Sequence, residues 1–429
     1  MTMTDGSRPR IHWFSPLAPA RTDIAHYTGR ILPALAARAE VTLWTDQPGW
    51  YPGLEQHAAV RRFHDGHFAW DPLNDADAVF YNIGNDARFH RAIAGVSRRF
   101  PGFSILHDVL LHDSVSFDCR ERGDRAQYLE IMRAHYGERG LRDGELHWEG
   151  ALSLLQMGRI YSCVPFFLAS SLGAIVHSQA AERALAKEVE VPVIRLPLPF
   201  AARRRPPRPR DLTPPWRLVV FGYLGANRCL EQVLEALGQV AGLPFELHIY
   251  GEVQHPDRLR QAGERVTVHG FVPEAELDAA LAAAHLAINL RYPTKGEASG
   301  SQLRIWSHGL ASLVTRVGWY AELPAGTAAF VRPECLVEDL CAHLRSFAAR
   351  PAEYAAAGLA GYEYFLERHL PAGYAARLVE IARQATAYRQ RWNAVRMSDR
   401  MVEGLDGWFP AGRLDGYLEH VAEVVGELS

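Results

Sequence analysis

The sequence predicts an α/β protein built from two doubly wound, Rossmann-like domains. Three observations carry that expectation. Short runs of β-branched and aromatic apolar residues alternate with longer stretches of helical period, which is the pattern of repeated βαβ units. The alternation breaks at a proline- and arginine-rich segment, residues 203–216 (RRRPPRPRDLTPPW), and then starts again. A chain of 429 residues also exceeds the roughly 250–300 over which a single core keeps growing, so two cores are expected.

In the first half, strands are expected at 11–14, 41–44, 78–83, 103–106 and 174–176. Helices are expected over 24–38 and 87–99, with a helical middle over 125–168. One parallel sheet wrapped by helices accounts for that order. In 203–216 the prolines block helix and ladder hydrogen bonds and the arginines repel one another, which marks a domain boundary. The arginines read as a solvated linker in preference to a contact for an anionic membrane or phosphate. Beyond it, strands are expected at 217–221, 245–250, 266–269, 286–290 and 312–315, with helices over 228–237, 273–284 and 300–308. Past Val331 the period is helical to the end. The expected organisation is a first domain over 1–205, a second over 216–375, and terminal helices over 376–429. Those helices would cross back to the first domain, which would account for Trp392, Trp408 and Phe409.

Composition removes several function classes. With 48% hydrophobic and 22% charged residues the chain is that of a folded globular protein. A net charge of −3 argues against a nucleic-acid partner, which needs a cationic face to displace counterions. The five cysteines, Cys119, Cys163, Cys229, Cys335 and Cys341, show no C-x-x-C spacing, so neither a disulfide framework nor a metal site is expected. No stretch has the length and apolarity of a signal core or a membrane span, so the expected location is cytoplasmic, with peripheral association at the inner membrane face compatible. Neither half opens its first helix with G-x-G-x-x-G, which sets aside a dinucleotide oxidoreductase.

Ligands in open α/β sheets bind beyond the carboxyl ends of the strands, so the loops there are where chemistry is sought. The first, SPLAPARTDIAHY (15–27), is turn-rich and opens a helix. After the third strand comes YNIGND (81–86), and the next ends in FSILHDVLLHD (103–113). His107 there can donate to developing negative charge or orient a hydroxyl, and Asp108 could fix its tautomer or cap the next helix. In FGYLGANR (221–228), Gly222 and Gly225 allow close backbone approach and Arg228 stands at a helix mouth, a diphosphate-binding pattern that an unliganded tight turn would also show. The richest segment is NLRYPTKGEASGSQLRIWSHG (289–309). It sets Arg291, Lys295 and Glu297 ahead of Ser299, Gly300 and Ser301, with Arg304 one turn into a helix. Cations and free N–H groups suit an anion, and a carboxylate suits sugar hydroxyls.

In HGFVPEAELDAALAAAHLAINLRYPTKGEASGSQL (269–303) and RVGWYAELP (316–324) the chain resembles the GT-B superfamily of glycosyltransferases, specifically the retaining glycosyltransferase family 4 type. The resemblance implies two facing Rossmann domains, a nucleotide-sugar donor held mainly by the second, and no metal or other cofactor. It implies that His107 is the active-site histidine of the first domain, that Glu297 meets donor-sugar hydroxyls and that Arg228 holds the donor diphosphate. Gly270, Phe271 and Val272 resemble the base-binding loop, and Ser299, Gly300 and Ser301 would line the phosphate end. The chain departs from the pattern at Tyr223, where a companion arginine is expected, at Ile305, where a second glutamate is expected, and at Asp23, where the first loop has glycine. Arg291 or Arg304 would replace the missing cation. The function implied is sugar transfer, with retention, to a cell-surface glycan, glycolipid or other glycoconjugate acceptor. A catalytically impaired partner subunit and a nucleotide-sugar epimerase on the same fold are the alternatives.

Overall fold

The computed structural model describes residues 7–405 apart from 65–67, 69, 204 and 254–264, so Trp408 and Phe409 lie outside the described residues. The chain runs β1 (Arg10–Phe14), α1 (Asp23–Ala36), β2 (Glu40–Thr45), β3 (Ala59–Arg62), α2 (Asp71–Asn74), β4 (Ala78–Ile83), α3 (Ala87–Ser97) and β5 (Gly102–Leu106). It continues with α4 (His112–Glu121), α5 (Arg125–Trp148), α6 (Leu154–Ile160), α7 (Val164–Leu168), β6 (Ser171–Val176), α8 (Gln179–Leu185) and β7 (Val193–Arg195). A second series follows: β8 (Trp216–Phe221), α9 (Leu230–Gln239), β9 (Phe245–Tyr250), β10 (Val266–Gly270), α10 (Glu274–Ala283), β11 (Leu286–Ile288), α11 (Gly300–Ser307), β12 (Ala311–Thr315) and β13 (Ala329–Val331). Four helices close the described chain, α12 (Leu336–Ala349), α13 (Pro351–Arg368), α14 (Pro371–Arg383) and α15 (Ala385–Leu405).

Two parallel sheets result, ordered β3-β2-β1-β4-β5-β6-β7 and β10-β9-β8-β11-β12-β13. In each, the order reverses beside the first strand, between β1 and β4 and between β8 and β11, which is where an open sheet forms its ligand crevice. The central strands are buried on both faces, as in the all-buried AVFYNI of β4, and so read as continuous apolar runs. Three strands that the sequence reading passes over, β3, β7 and β13, are all sheet edges. They are short and partly exposed, AVRR, VIR and AFV, and carry no run long enough to announce a strand.

Helix α1 shows how local signals set the frame. Thr22 caps it by accepting from the Ile24 N–H, and Ile24, Tyr27, Thr28, Ile31, Leu32 and Leu35 bury one face at helical spacing. Against α1 packs α14, and α15 packs against β6, so the last described helices share a core with the first sheet. Tyr388 meets the Phe103 ring edge-on at 5.1 Å, and Trp392 lies against the same core. The linker is less solvated than the sequence implies. Arg210 donates to the carbonyls of Leu281, Ala282 and Ala284 at the end of α10 and to that of His308 after α11. It thereby satisfies helix-end acceptors that sequence spacing cannot pair with an arginine some 70 residues upstream.

Candidate functional site

On the wall formed by the second sheet, β8 ends at Phe221 and turns at Gly222, whose φ of +106° is open to glycine. A Cβ there would lie 3.1 Å from Arg228 Nη2 and 3.9 Å from Ser301 Oγ, so the turn, the guanidinium and the first turn of α11 converge on one point. Arg228 is buried, and both of its hydrogen bonds go to neutral oxygens: Nη1 donates to Asn289 Oδ1 (3.0 Å) and Nη2 to the Phe221 carbonyl (2.9 Å). Burial, with Arg291 nearby, lowers its pKa to about 10, which leaves it charged at neutral pH but short of compensation. Asn289 is itself fixed, because its amide nitrogen donates to Gln302 Oε1 (3.0 Å), whose own nitrogen donates to Ser312 Oγ (2.8 Å). Ser299 caps α11 by accepting from the Gln302 N–H, which leaves Gly300 and Ser301 in the first turn. Gly225 precedes the short turn that carries Arg228.

Arg291 pairs with Glu297 at 3.1 Å, and the other Glu297 oxygen accepts from Thr294 Oγ1 (2.9 Å) and from the Lys295 N–H (2.6 Å). Burial works against the Arg291 charge, yet Glu297 overrides it and holds the guanidinium above its usual range. The buried Tyr320 hydroxyl lies against the Arg291 guanidinium and helps hold its charge, although Arg291 Nε and Tyr320 OH make no well-formed hydrogen bond among the described residues. Gly270, at φ +69°, ends β10, and Phe271 and Val272 follow at the surface. The Phe271 ring lies 6.1 Å from that of Tyr223 and 5.8 Å from the Arg21 guanidinium of the first domain.

The opposite wall is built around a histidine that burial keeps neutral. His107 follows β5, and its Nε2 lies 3.0 Å from Asn82 Oδ1. The Asn82 amide nitrogen donates to the Phe14 carbonyl at the end of β1 (3.0 Å). Burial, with His177 and His90 nearby, lowers the His107 pKa well below the usual imidazole range. The rings of Tyr27 and His177 flank it at 4.7 and 5.3 Å, and the Tyr27 hydroxyl donates to that of Tyr374 on α14. No hydrogen bond joins the Asp108 and His107 side chains. Its carboxylate accepts from the Asn85 N–H (2.9 Å), and burial together with Glu297 raises its pKa to about 6. The side chain that meets the His107 ring nitrogen is thus Asn82 and not Asp108.

The walls touch at several points. Lys295 Nζ meets Asp113 at 2.5 Å, and its carbonyl accepts from Val109 and Leu110. Gly296, at φ +84°, admits the Val109 side chain into the space a Cβ would need. Tyr223 donates to the Arg21 carbonyl (3.0 Å), and Glu322 accepts from the Gln179 and Ala180 N–H groups at the start of α8. Asp23 lies close enough to Arg228 and Arg291 to favour their charged forms. Arg304 stands apart: it donates to Asp278, and pairs with Glu274, on α10. Ile305 is fully buried and packs with Val219, Phe221, Leu281 and Leu310. Among the described residues no cluster of His, Cys, Asp or Glu is placed to hold a metal ion, and no helix is long and apolar enough to cross a membrane.

No protein-family model and no curated protein matches the chain. Solved structures do match it along most of its length. Sucrose-phosphate synthase from Thermosynechococcus elongatus superposes with a TM-score of 0.61 at 16% identity, over 89% of this chain and 100% of that one. Anabaena HepE in complex with UDP and glucose gives 0.57 at 14% identity, over 87% and 99%. WaaG, a glycosyltransferase involved in lipopolysaccharide biosynthesis, gives 0.55 at 16% identity, over 88% and 98%. The chain has the GT-B fold. In this GT-B chain the residues that sequence reading left out are the neutral ones, Asn82, Asn289, Gln302 and Tyr320. The signal for the first two was present, since each is an asparagine set within or just after an apolar strand run, AVFYNI and LAIN.

Proposed function

We propose that the protein is a glycosyltransferase that takes a nucleoside diphosphate sugar in the cleft and passes the sugar, with retention, to a hydroxyl of a glycan, glycolipid or other glycoconjugate. The observation that carries this reading is the buried Arg228 guanidinium, held by neutral oxygens and set against Gly222 and the first turn of α11. A buried cation without a bound carboxylate is stabilised by an incoming anion, and Arg291, paired with Glu297, stands near it. Glu297 accepts from donor-sugar hydroxyls in this reading, and Gly270, Phe271 and Val272 border the base. Ser299, Gly300, Ser301 and Gly225 supply the small residues and N–H groups around the phosphates. Lys295 closes the site from the side of Asp113. The shared fold with structures described as complexes of UDP with glucose, and of UDP-glucose, supports the donor class.

Chemically, the acceptor oxygen attacks the anomeric carbon on the face from which the diphosphate leaves. The carbon–oxygen bond to phosphate breaks, and the departing diphosphate oxygen takes the hydroxyl proton, giving a glycoside and a nucleoside diphosphate. Arg228 and Arg291 stabilise the charge that grows on the leaving group, and no metal is required by this scheme. Calorimetry against UDP, GDP, dTDP and CMP and their sugars, with NAD as control, tests the reading first. Binding of one nucleoside diphosphate supports it, and anomeric analysis of the product by NMR then decides retention. Silence across the panel transfers the weight to a non-catalytic partner subunit.

A further inference from the structure

Asn82 occupies a position in β4, buried on both faces, where an apolar residue would ordinarily stand. Its amide is oriented without ambiguity. Only the NH₂ end can face the Phe14 carbonyl at 3.0 Å, so Oδ1 must face His107 Nε2 at 3.0 Å. An amide oxygen accepts and cannot donate, so Nε2 carries the hydrogen. A neutral imidazole has one N–H and one lone pair, which leaves Nδ1 as the acceptor nitrogen.

We propose that Asn82 is a positioning residue that fixes His107 as its Nε2–H tautomer and so makes Nδ1 the atom that receives a hydrogen bond from a substrate hydroxyl. The assignment of the hydroxyl to a sugar rests on the glycosyltransferase reading, whereas the tautomer does not. In this arrangement His107 reads a hydroxyl through its lone pair and does not donate to phosphate. That role is preserved by burial among Tyr27, His177 and His90, which disfavours the imidazolium. The charged groups nearest the loop are Asp108, held by the Asn85 N–H, and Glu297, Lys295 and Arg291 across the cleft.

The test needs no substrate. The full chain, labelled with ¹⁵N at its 19 histidines, is examined by NMR, with His107 assigned by its disappearance in His107→Gln. The expected result is an exchange-protected Nε2–H proton for His107 with an unprotonated Nδ1 at neutral pH. In Asn82→Leu that proton should exchange at least about tenfold faster, the factor that matches loss of one hydrogen bond. In Asn82→Asp it should stay protected while the His107 titration moves up by about one pH unit or more, because a carboxylate now faces the ring. Protection on Nδ1, a charged ring at neutral pH, or an unchanged proton in Asn82→Leu would overturn the proposal. Should Asn82→Leu fail to fold, the wild-type spectrum and Asn82→Asp still decide. A chain with the expected spectra but no binding of any nucleoside diphosphate would overturn the functional reading alone.

Discussion

The two walls of the cleft solve the same topological problem with opposite electrostatics. Each sheet reverses order beside its first strand, and at that point each carries an asparagine whose amide nitrogen is tied to a neutral acceptor and whose oxygen grips a functional side chain. On the first wall Asn82 grips His107, which burial keeps neutral. On the second Asn289 grips Arg228, which stays charged. The end of the first strand takes part in both: the Phe14 carbonyl accepts from Asn82, and the Phe221 carbonyl accepts from Arg228. One frame therefore holds a neutral imidazole on one wall and a cation on the other, and the choice lies in which residue the asparagine is given to hold.

That contrast can be broken most severely at Arg228. Arg228→Ala is expected to lower turnover about 10²- to 10³-fold, the usual cost of removing a preorganised donor from a developing charge. Calorimetry should show weaker nucleoside diphosphate binding in parallel. Second comes Ile305→Glu, which restores the glutamate expected from the resemblance. Because Ile305 is fully buried, the carboxylate would stand uncompensated in a packed cluster and cost about 3 kcal/mol or more of stability by urea unfolding, with no gain in donor affinity. Third, Asn289→Asp places a carboxylate against the guanidinium and should weaken diphosphate binding about tenfold while leaving the fold intact, since the internal anion pre-empts the ligand.

Acid should separate the walls next. His12, His90, His112 and His177, on the first sheet or its helices, are pushed down to about 4, chiefly by burial, as are His308 after α11 and His369 after α13. Their folded values lie below the unfolded value of about 6.5, so the stability they represent is complete above that pH. It is lost as pH falls from there toward and through 4. Asp108, raised to about 6, has the opposite sign and is a single group against six, four of them in the first domain. Thermal unfolding midpoints should fall between pH 7 and 4.5, and hydrogen exchange should localise the first loss of protection to the first domain. A second domain that opens earlier would refute the contrast. The smallest effect is expected at Arg304. Its guanidinium is committed to Asp278 and Glu274, so Arg304→Ala should change nucleotide affinity less than about twofold and stability by about 1 kcal/mol.

Much of the fold was legible because parallel strands buried on both faces must be written as apolar runs. β4, buried throughout, matches the sequence reading residue for residue at 78–83, and so does β9 at 245–250, whose FELHIY alternates buried and half-buried residues. The edges β3, β7 and β13 were not legible, since a short strand with one exposed side needs no such run. For the site, sequence alone nominated the loops at the strand ends, and with them His107, Arg228 and the segment from Arg291 to Ser301. It could not say that Arg304 turns to α10 while Ser301 meets Gly222, because on one short helix both readings are compatible with the same spacing.

By itself, then, the sequence determined the periodicities, the caps, the turn glycines and the inventory of charges, all of which depend on neighbours within a few positions. The tertiary structure decided which charges have counter-ions and which neutral amides orient them. Asn82 reaches His107 across 25 positions and Arg228 reaches Asn289 across 61. Lys295 finds Asp113 across 182. Hydrogen bonding and burial act over a few ångströms of space whatever the distance along the chain, so only the folded arrangement of the two sheets settles what each wall of the cleft can hold.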